Sequence, residues 1–224
     1  MSSKNVTVVL VHGAWADGSS WAKIIAPLAA EGYRVTAASL PLTSFEADVA
    51  AVNRTLDRVE GPVVLAGHAY GGAVISAARG DKVKALVYIA AGAPDQGETV
   101  LQAFYGANPP ALPTDEQGNI RLPEEAFAGA FAPNASASDL AVLAAVQRPI
   151  SPACITVPLA RPLWKDVPSW FLVAEQDQML PTQNQRFMAE RMKAQIRSHA
   201  VDHTPVVTAP DKVLGVIREA IDNL

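Results

Sequence analysis

Four short apolar runs constrain this chain more than any other feature. They are residues 6–11 (VTVVLV), 62–66 (PVVLA), 83–91 (VKALVYIAA) and 170–174 (WFLVA). All are rich in Val, Ile and Leu and lack sustained alternation. A strand with one wet face alternates apolar and polar residues, whereas one covered on both faces does not. The four runs therefore read as strands of a largely parallel sheet sandwiched between helices. Residues 33–40 (YRVTAASL) form a fifth, weaker strand. Residues 195–201 (QIRSHAV) alternate more and suit a sheet edge.

Between the strands the period becomes helical. Residues 20–31 follow a cap-like Ser, place Trp21, Ile24, Ile25, Leu28 and Ala29 on one face, and stop at Gly32. Residues 45–59 carry Val49, Val52, Leu56 and Val59 at three- and four-residue spacing. Residues 210–224 repeat the signal through Val213, Leu214, Ile217 and Ile221. Strand, helix, strand in alternation is the pattern of an α/β doubly wound sheet. Residues 94–168 break the rhythm, holding 11 of the 17 prolines. Helical pieces at 98–105, 123–131 and 136–147, with no convincing strand, predict a helical insertion between two sheet strands. The core is then 1–93 and 169–224.

Composition narrows the partners. The chain has 224 residues, 18 Lys+Arg against 22 Asp+Glu, and a formal net charge of −4 without a basic block, which argues against nucleic acid. No apolar stretch approaches the roughly 18 residues that a membrane span needs, and the first residues lack a signal-peptide core. Cys154 is the sole cysteine and cannot form an internal disulfide, which suits a reducing, cytoplasmic setting.

The strand at 62–66 runs into Gly67-His68-Ala69-Tyr70-Gly71-Gly72, then a helix-compatible AVISAA. A central residue with Gly two before and two after is the pattern of a nucleophile elbow, a turn so tight that only small residues fit beside it. The following helix aims amide N–H groups at the same spot, where a developing oxyanion would sit. Such a turn calls for Ser, Cys or Asp at its centre, and this chain has Ala69.

Four segments occur together in order: His12-Gly13-Ala14-Trp15, the elbow at 67–72, Asp177-Gln178-Met179-Leu180-Pro181, and Asp202-His203-Thr204-Pro205. In these segments the chain resembles the α/β-hydrolase-fold esterases, in the branch of compact bacterial esterases, plant methyl esterases and hydroxynitrile lyases. The resemblance implies an α/β-hydrolase fold with a helical cap at 94–168. It implies a Ser-His-Asp mechanism in which position 69 carries the nucleophile, His203 is the base and Asp177 the acid that holds the imidazole. The N–H groups of Ala14 and Tyr70 would form the oxyanion hole. It implies no cofactor, no metal, and a small hydrophobic ester-like substrate.

Each residue also has a plainer reading. Asp177 could cap a helix starting near Gln183, and His203 could be a surface loop residue. His12 and His68 are read as structural. His199 and His203 have a ligand-like spacing only on a helix, and this stretch reads as strand and loop, so no metal is expected. The glycines at 67, 71 and 72 match no nucleotide-binding loop. Phe104, Phe127, Phe131 and Trp164 could line a pocket or form the core of the insertion, and Cys154 reads as inert. Ala69 leaves no group to form an acyl-enzyme. Either an active Ser has been replaced, or Ala is natural and the chain is a lyase or cofactor-free oxygenase using the His203–Asp177 dyad, or a non-catalytic binding protein. Oligomeric state is left open.

Overall fold

The computed structural model describes residues 5–106 and 108–224. Six strands alternate with helices along the chain: β1 (Thr7–Val11), β2 (Arg34–Ala38), β3 (Val63–His68), β4 (Val83–Ile89), β5 (Ser169–Ala174) and β6 (Gln195–His199). They form one sheet in the order β2-β1-β3-β4-β5-β6, and every neighbouring pair is parallel. Successive side chains of the inner strands enter opposite cores, which is why their sequences do not alternate. Val9, Val11, Val63, Leu65, Leu86 and Tyr88 pack on one face, with α2 (Phe45–Arg58), α3 (Tyr70–Ser76) and α7 (Thr182–Arg191). Val8, Leu10, Val64, Ala66, Val87 and Leu172 pack on the other, with α1 (Ala22–Ala30) and α9 (Pro210–Asp222). The two patchier strands, β2 and β6, are the edges.

Two local readings shift. The helix expected over 20–31 begins instead with a 3-10 turn, Gly18–Trp21, and its cap is Asp17, whose carboxylate accepts from Ser19 N; α1 proper starts at Ala22. Asp17 presents its carboxylate two residues earlier than Ser19, the cap that the periodicity favoured. Gly32, at φ +91, ends that helix as anticipated.

Between β4 and β5 the chain forms α4 (Val100–Tyr105), α5 (Glu124–Ala126), a π-helical turn at Phe127–Phe131 and α6 (Ala137–Ala145). Thr99 and Gln102 close a capping box on α4, and Ser136 caps α6. Among the described residues of this segment, sheet-like pairing is limited to isolated bridges, Thr114 with Ile120 and Ile120 with Ile150. The remaining helix, α8 (Pro205–Thr208), follows β6.

The β3–α3 turn is set by close backbone approach. A Cβ on Gly67 would lie 2.6 Å from the carbonyl of Gly71, and one on Gly71 would lie 2.5 Å from the carbonyl oxygen of Val11 at the end of β1. Neither neighbour is a flexible side chain, so neither can yield. Gly71→Ala is expected to cost at least about 2 kcal/mol, at the upper range of overpacking penalties. Gly129→Ala, where a Cβ meets nothing within 4 Å, should leave stability near that of the parent. Urea unfolding of the two variants beside the parent checks both expectations.

Candidate active site

The carboxyl ends of β1, β3, β5 and β6 converge, as ligand sites do in open parallel sheets. Each delivers one of the segments singled out in the sequence. After β3, Ala69 sits at φ 50, ψ −118, a conformation that a residue with a Cβ adopts only under tertiary constraint. Its backbone is held on both sides, since Ala69 N donates to Ile89 O at 3.2 Å and Gly92 N to Ala69 O at 3.1 Å. The loop after β1 presses close: a Cβ on Gly13 would meet the Ala69 methyl at 3.0 Å.

Beyond β6, His203 is 2 % exposed, and its Nδ1 lies 2.8 Å from Asp177 Oδ2. That contact occupies one ring nitrogen; among the described residues Nε2 has no protein partner. Asp177 also closes its own turn, its Oδ1 accepting from Met179 N and Leu180 N at 2.8 Å each. The capping alternative is thereby resolved: the carboxylate serves a turn, not α7, and holds the histidine as well. Sequence reading missed Gln185, fully buried on α7. Its amide donates to Asp177 Oδ2 at 2.8 Å and to Leu180 O at 2.9 Å, and its carbonyl accepts from Ala174 N at 3.0 Å. A polar residue on the same helix face as buried Met188 and Ala189 was the available signal.

Ala14 and Tyr70 border Ala69, and among the described residues neither main-chain N–H has a protein acceptor. Unpaired amides are rare inside proteins away from helix starts, and Tyr70 stands at such a start. Ala14, Ala69, Tyr70 and His203 share a cavity of about 40 Å3. Its remaining wall is apolar, including Val100, Leu101, Phe104, Leu112, Phe131 and Ile155. Phe104 and Phe131 therefore line the cavity, while Phe127 and Trp164 do not and are buried in the cores on the two faces of the sheet.

Two buried histidines support the site without facing the cavity. His12 Nε2 accepts from Leu40 N at 3.1 Å, which leaves Nδ1–H to donate to Gly13 O at 2.9 Å. Burial lowers its pKa to about 4. His68 Nε2 donates to His203 O at 2.7 Å, its ring 5.2 Å from that of His203. Burial, aided by the positive charge that His203 can carry, lowers its pKa to about 3. A neutral His68 adds no charge against a protonated His203. Asp202, also buried, accepts from Thr204 N, Thr208 Oγ1 and Asn134 N. It thereby ties the His203 loop to the insertion, as does Thr204 Oγ1 donating to Phe131 O at 2.5 Å.

A third carboxyl, Asp48 on α2, was not recognised as part of the site. It is fully buried, accepts from Leu42 N and Tyr70 Oη at 2.7 Å each, and burial raises its pKa. Cys154 is buried beside this pair, and its thiol is pushed up to about 12, which keeps it protonated and unreactive. Among the described residues no group of three or more His, Cys, Asp or Glu is placed to hold a metal, and no helix is long and apolar enough to cross a membrane.

Fold and site together define an α/β-hydrolase. The model of the alpha/beta hydrolase family matches residues 8–216, and the chain belongs to that family. Among curated relatives, a carbendazim-hydrolysing esterase of Nocardioides sp. is 32% identical over 46% of this chain, a match spanning about half (49%) of that protein. Methylesterase 8 of Arabidopsis thaliana is 24% identical over 90% of this chain and 84% of its own. Among solved structures, a pyrethroid hydrolase from Sphingobium faniae superposes with a TM-score of 0.80 at 24% identity, over 97% of this chain and 98% of its own. Polyneuridine aldehyde esterase superposes with a TM-score of 0.80 at 19% identity, over 95% and 98%.

The buried histidines carry a pH signature. His68 binds a proton at its ordinary 6.5 when unfolded but only near pH 3 when folded. Between those values the unfolded chain holds the extra proton, so stability rises with pH and is lost as pH falls from 6.5 toward 3. Glutamine at 68 keeps a donor for His203 O and removes the titration. Urea unfolding between pH 6 and 4 should show a slope about 1.4 kcal/mol per pH unit shallower in His68→Gln. Equal slopes would mean that His68 takes up its proton without unfolding.

Proposed function

We propose that this chain carries the machinery of a carboxylic-ester hydrolase whose nucleophile position holds alanine in place of serine. The observation that carries this reading is the meeting of three features around one cavity. Residue 69 is thrust forward by its positive φ, the His203–Asp177 pair stands across from it, and two unpartnered amides, Ala14 and Tyr70, lie beside it.

With serine at 69, His203 Nε2 takes the hydroxyl proton as the oxygen attacks the ester carbonyl, while Asp177 holds Nδ1–H and stabilises the imidazolium. Gln185 and the two turn amides keep that carboxylate oriented. The carbonyl oxygen, now negative, is received by the N–H groups of Ala14 and Tyr70. His203 returns the proton to the departing alcohol, and water attacks the acyl-enzyme by the same route. The apolar wall suits a small uncharged substrate, with residues 94–168 acting as a cap over it. The names of the relatives, a carbendazim-hydrolysing esterase and a methylesterase, support an ester or a similar acyl bond.

As it stands the chain has no atom to acylate, and loss of the nucleophile in a serine hydrolase costs about a million-fold in turnover. Ala69→Ser is expected to raise hydrolysis of a short p-nitrophenyl ester on the order of 10⁴-fold or more. Adding His203→Ala should return it to the starting level. A folded Ala69→Ser protein without turnover overturns the esterase reading. Turnover of a substrate by the alanine form, lost in His203→Ala, would instead assign the chemistry to the His203–Asp177 dyad alone.

A further inference from the structure

The two amides assigned to the oxyanion hole are each tied, through the neighbouring side chain, to one small part of the insertion. Trp15, directly after Ala14, sits at φ 57, and its indole Nε1 donates to Ile120 O at 3.1 Å. Ile120 exchanges both main-chain hydrogen bonds with Ile150, at 2.8 and 3.0 Å. The chain continues into Ser151, whose N–H donates to Leu42 O at 2.9 Å, and then to buried Cys154. On the other side, the Tyr70 hydroxyl donates to Asp48 Oδ2 at 2.7 Å, and Leu42 N donates to Asp48 Oδ1 at 2.7 Å. The buried Cys154 thiol sits near both Asp48 and Tyr70 and contributes to the electrostatics of each. Leu42 holds a positive φ of 59, so its amide and carbonyl are fixed by these contacts rather than by its own preference.

We propose that Asp48 is a positioning residue for the oxyanion hole: by gripping the Tyr70 hydroxyl it fixes the direction of the Tyr70 N–H, and it joins the elbow to the Ser151–Cys154 turn of the insertion. The inference rests on the esterase reading for its kinetic consequence, and on geometry alone for the strut. Tyr70 opens α3, where no preceding helical turn restrains its amide. The residue is 2 % exposed and borders the cavity, so a ring released from Asp48 can shift only toward that space, and a small shift there turns the amide with it. Asp48 touches neither substrate nor the reacting atoms and acts only through Tyr70. Because Ile120 and Cys154 bear on the two donors, correct seating of the insertion and correct aim of both amides become a single structural state.

Two measurements test this. In the Ala69→Ser background, Tyr70→Phe and Asp48→Ala should each lower kcat about 10- to 100-fold with KM changed no more than about threefold, a fraction of the 10²–10³ that loss of a whole oxyanion donor costs. Asp48→Asn, which keeps an oxygen for the Tyr70 hydroxyl, should fall between parent and Asp48→Ala. An unchanged kcat in Tyr70→Phe, whatever happens to thermal stability, overturns the positioning role. In the chain with Ala69, modification of Cys154 by an aromatic disulfide reagent should run at least about tenfold faster in Asp48→Ala and Tyr70→Phe, because the turn that buries the thiol is released. A thiol rate equal to the parent's in both variants overturns the strut. This second reading needs no turnover, so it decides the strut even where Ala69→Ser proves inactive and the esterase reading falls.

Discussion

The site depends on a steric constraint with no side chain in it. Gly67 lies against the backbone of Gly71, Gly71 against the Val11 carbonyl, and Gly72 against the Gly92 carbonyl, each closer than a Cβ allows. Four segments, the ends of β1, β3 and β4 and the start of α3, are thereby locked within one van der Waals shell. The turn that satisfies all of these contacts forces residue 69 to φ 50. Strain of this kind costs roughly 1–3 kcal/mol and persists only where the surroundings over-determine it. Here they do, through hydrogen bonds from Ala69 N to the Ile89 carbonyl and from Gly92 N to the Ala69 carbonyl.

Around that rigid turn, the loops at the carboxyl end of the sheet face a common difficulty: several of their amides lack strand or helix partners. Three buried carboxyls answer it in the same way. Asp177 accepts from Met179 N and Leu180 N and reaches His203; Asp202 accepts from Thr204 N and Asn134 N and reaches Thr208; Asp48 accepts from Leu42 N and reaches Tyr70. In each case backbone amides that would otherwise be orphaned fix the carboxyl, and the fixed carboxyl orients a side chain from another element. A residue that satisfies a turn and one that orients a neighbour are here the same residue. Removing such a group would leave both sets of donors unpaired, at about 1–3 kcal/mol for each buried group.

The sheet was legible because burial on both faces writes itself as unbroken apolar sequence, and β1, β3, β4 and β5 lie within one to two residues of their expected spans. The elbow and the His203–Asp177 pairing were legible because each depends on side-chain identity, or on its enforced absence at glycine. What escaped rests on main-chain carbonyls. Trp15 reaches Ile120 O and Thr204 reaches Phe131 O, and any residue at 120 or 131 offers the same acceptor. The contacts that seat the insertion therefore leave no mark on its sequence. Gln185 and Asp48 are a different case. Each is a polar residue on an apolar helix face, Asp48 between Phe45 and Val52 and Gln185 ahead of Met188, and that conflict of pattern was available to be read as a buried hydrogen-bonding role.

The strain at residue 69 also bears on the meaning of its alanine. A positive φ is adopted with least cost by glycine, and a Gly at 69 would relieve the turn while leaving Gly67, Gly71 and Gly72 in place. Alanine keeps the penalty of a Cβ and gains nothing polar. The Cβ matters only if a side chain is to be held out over the cavity, between the Gly13 loop and His203. An alanine there has the shape of a serine without its hydroxyl, beside two amides that have no protein acceptor among the described residues and a histidine paired with Asp177. On the proposed esterase reading, the geometry around position 69 would match a nucleophile one atom longer than the residue that occupies it.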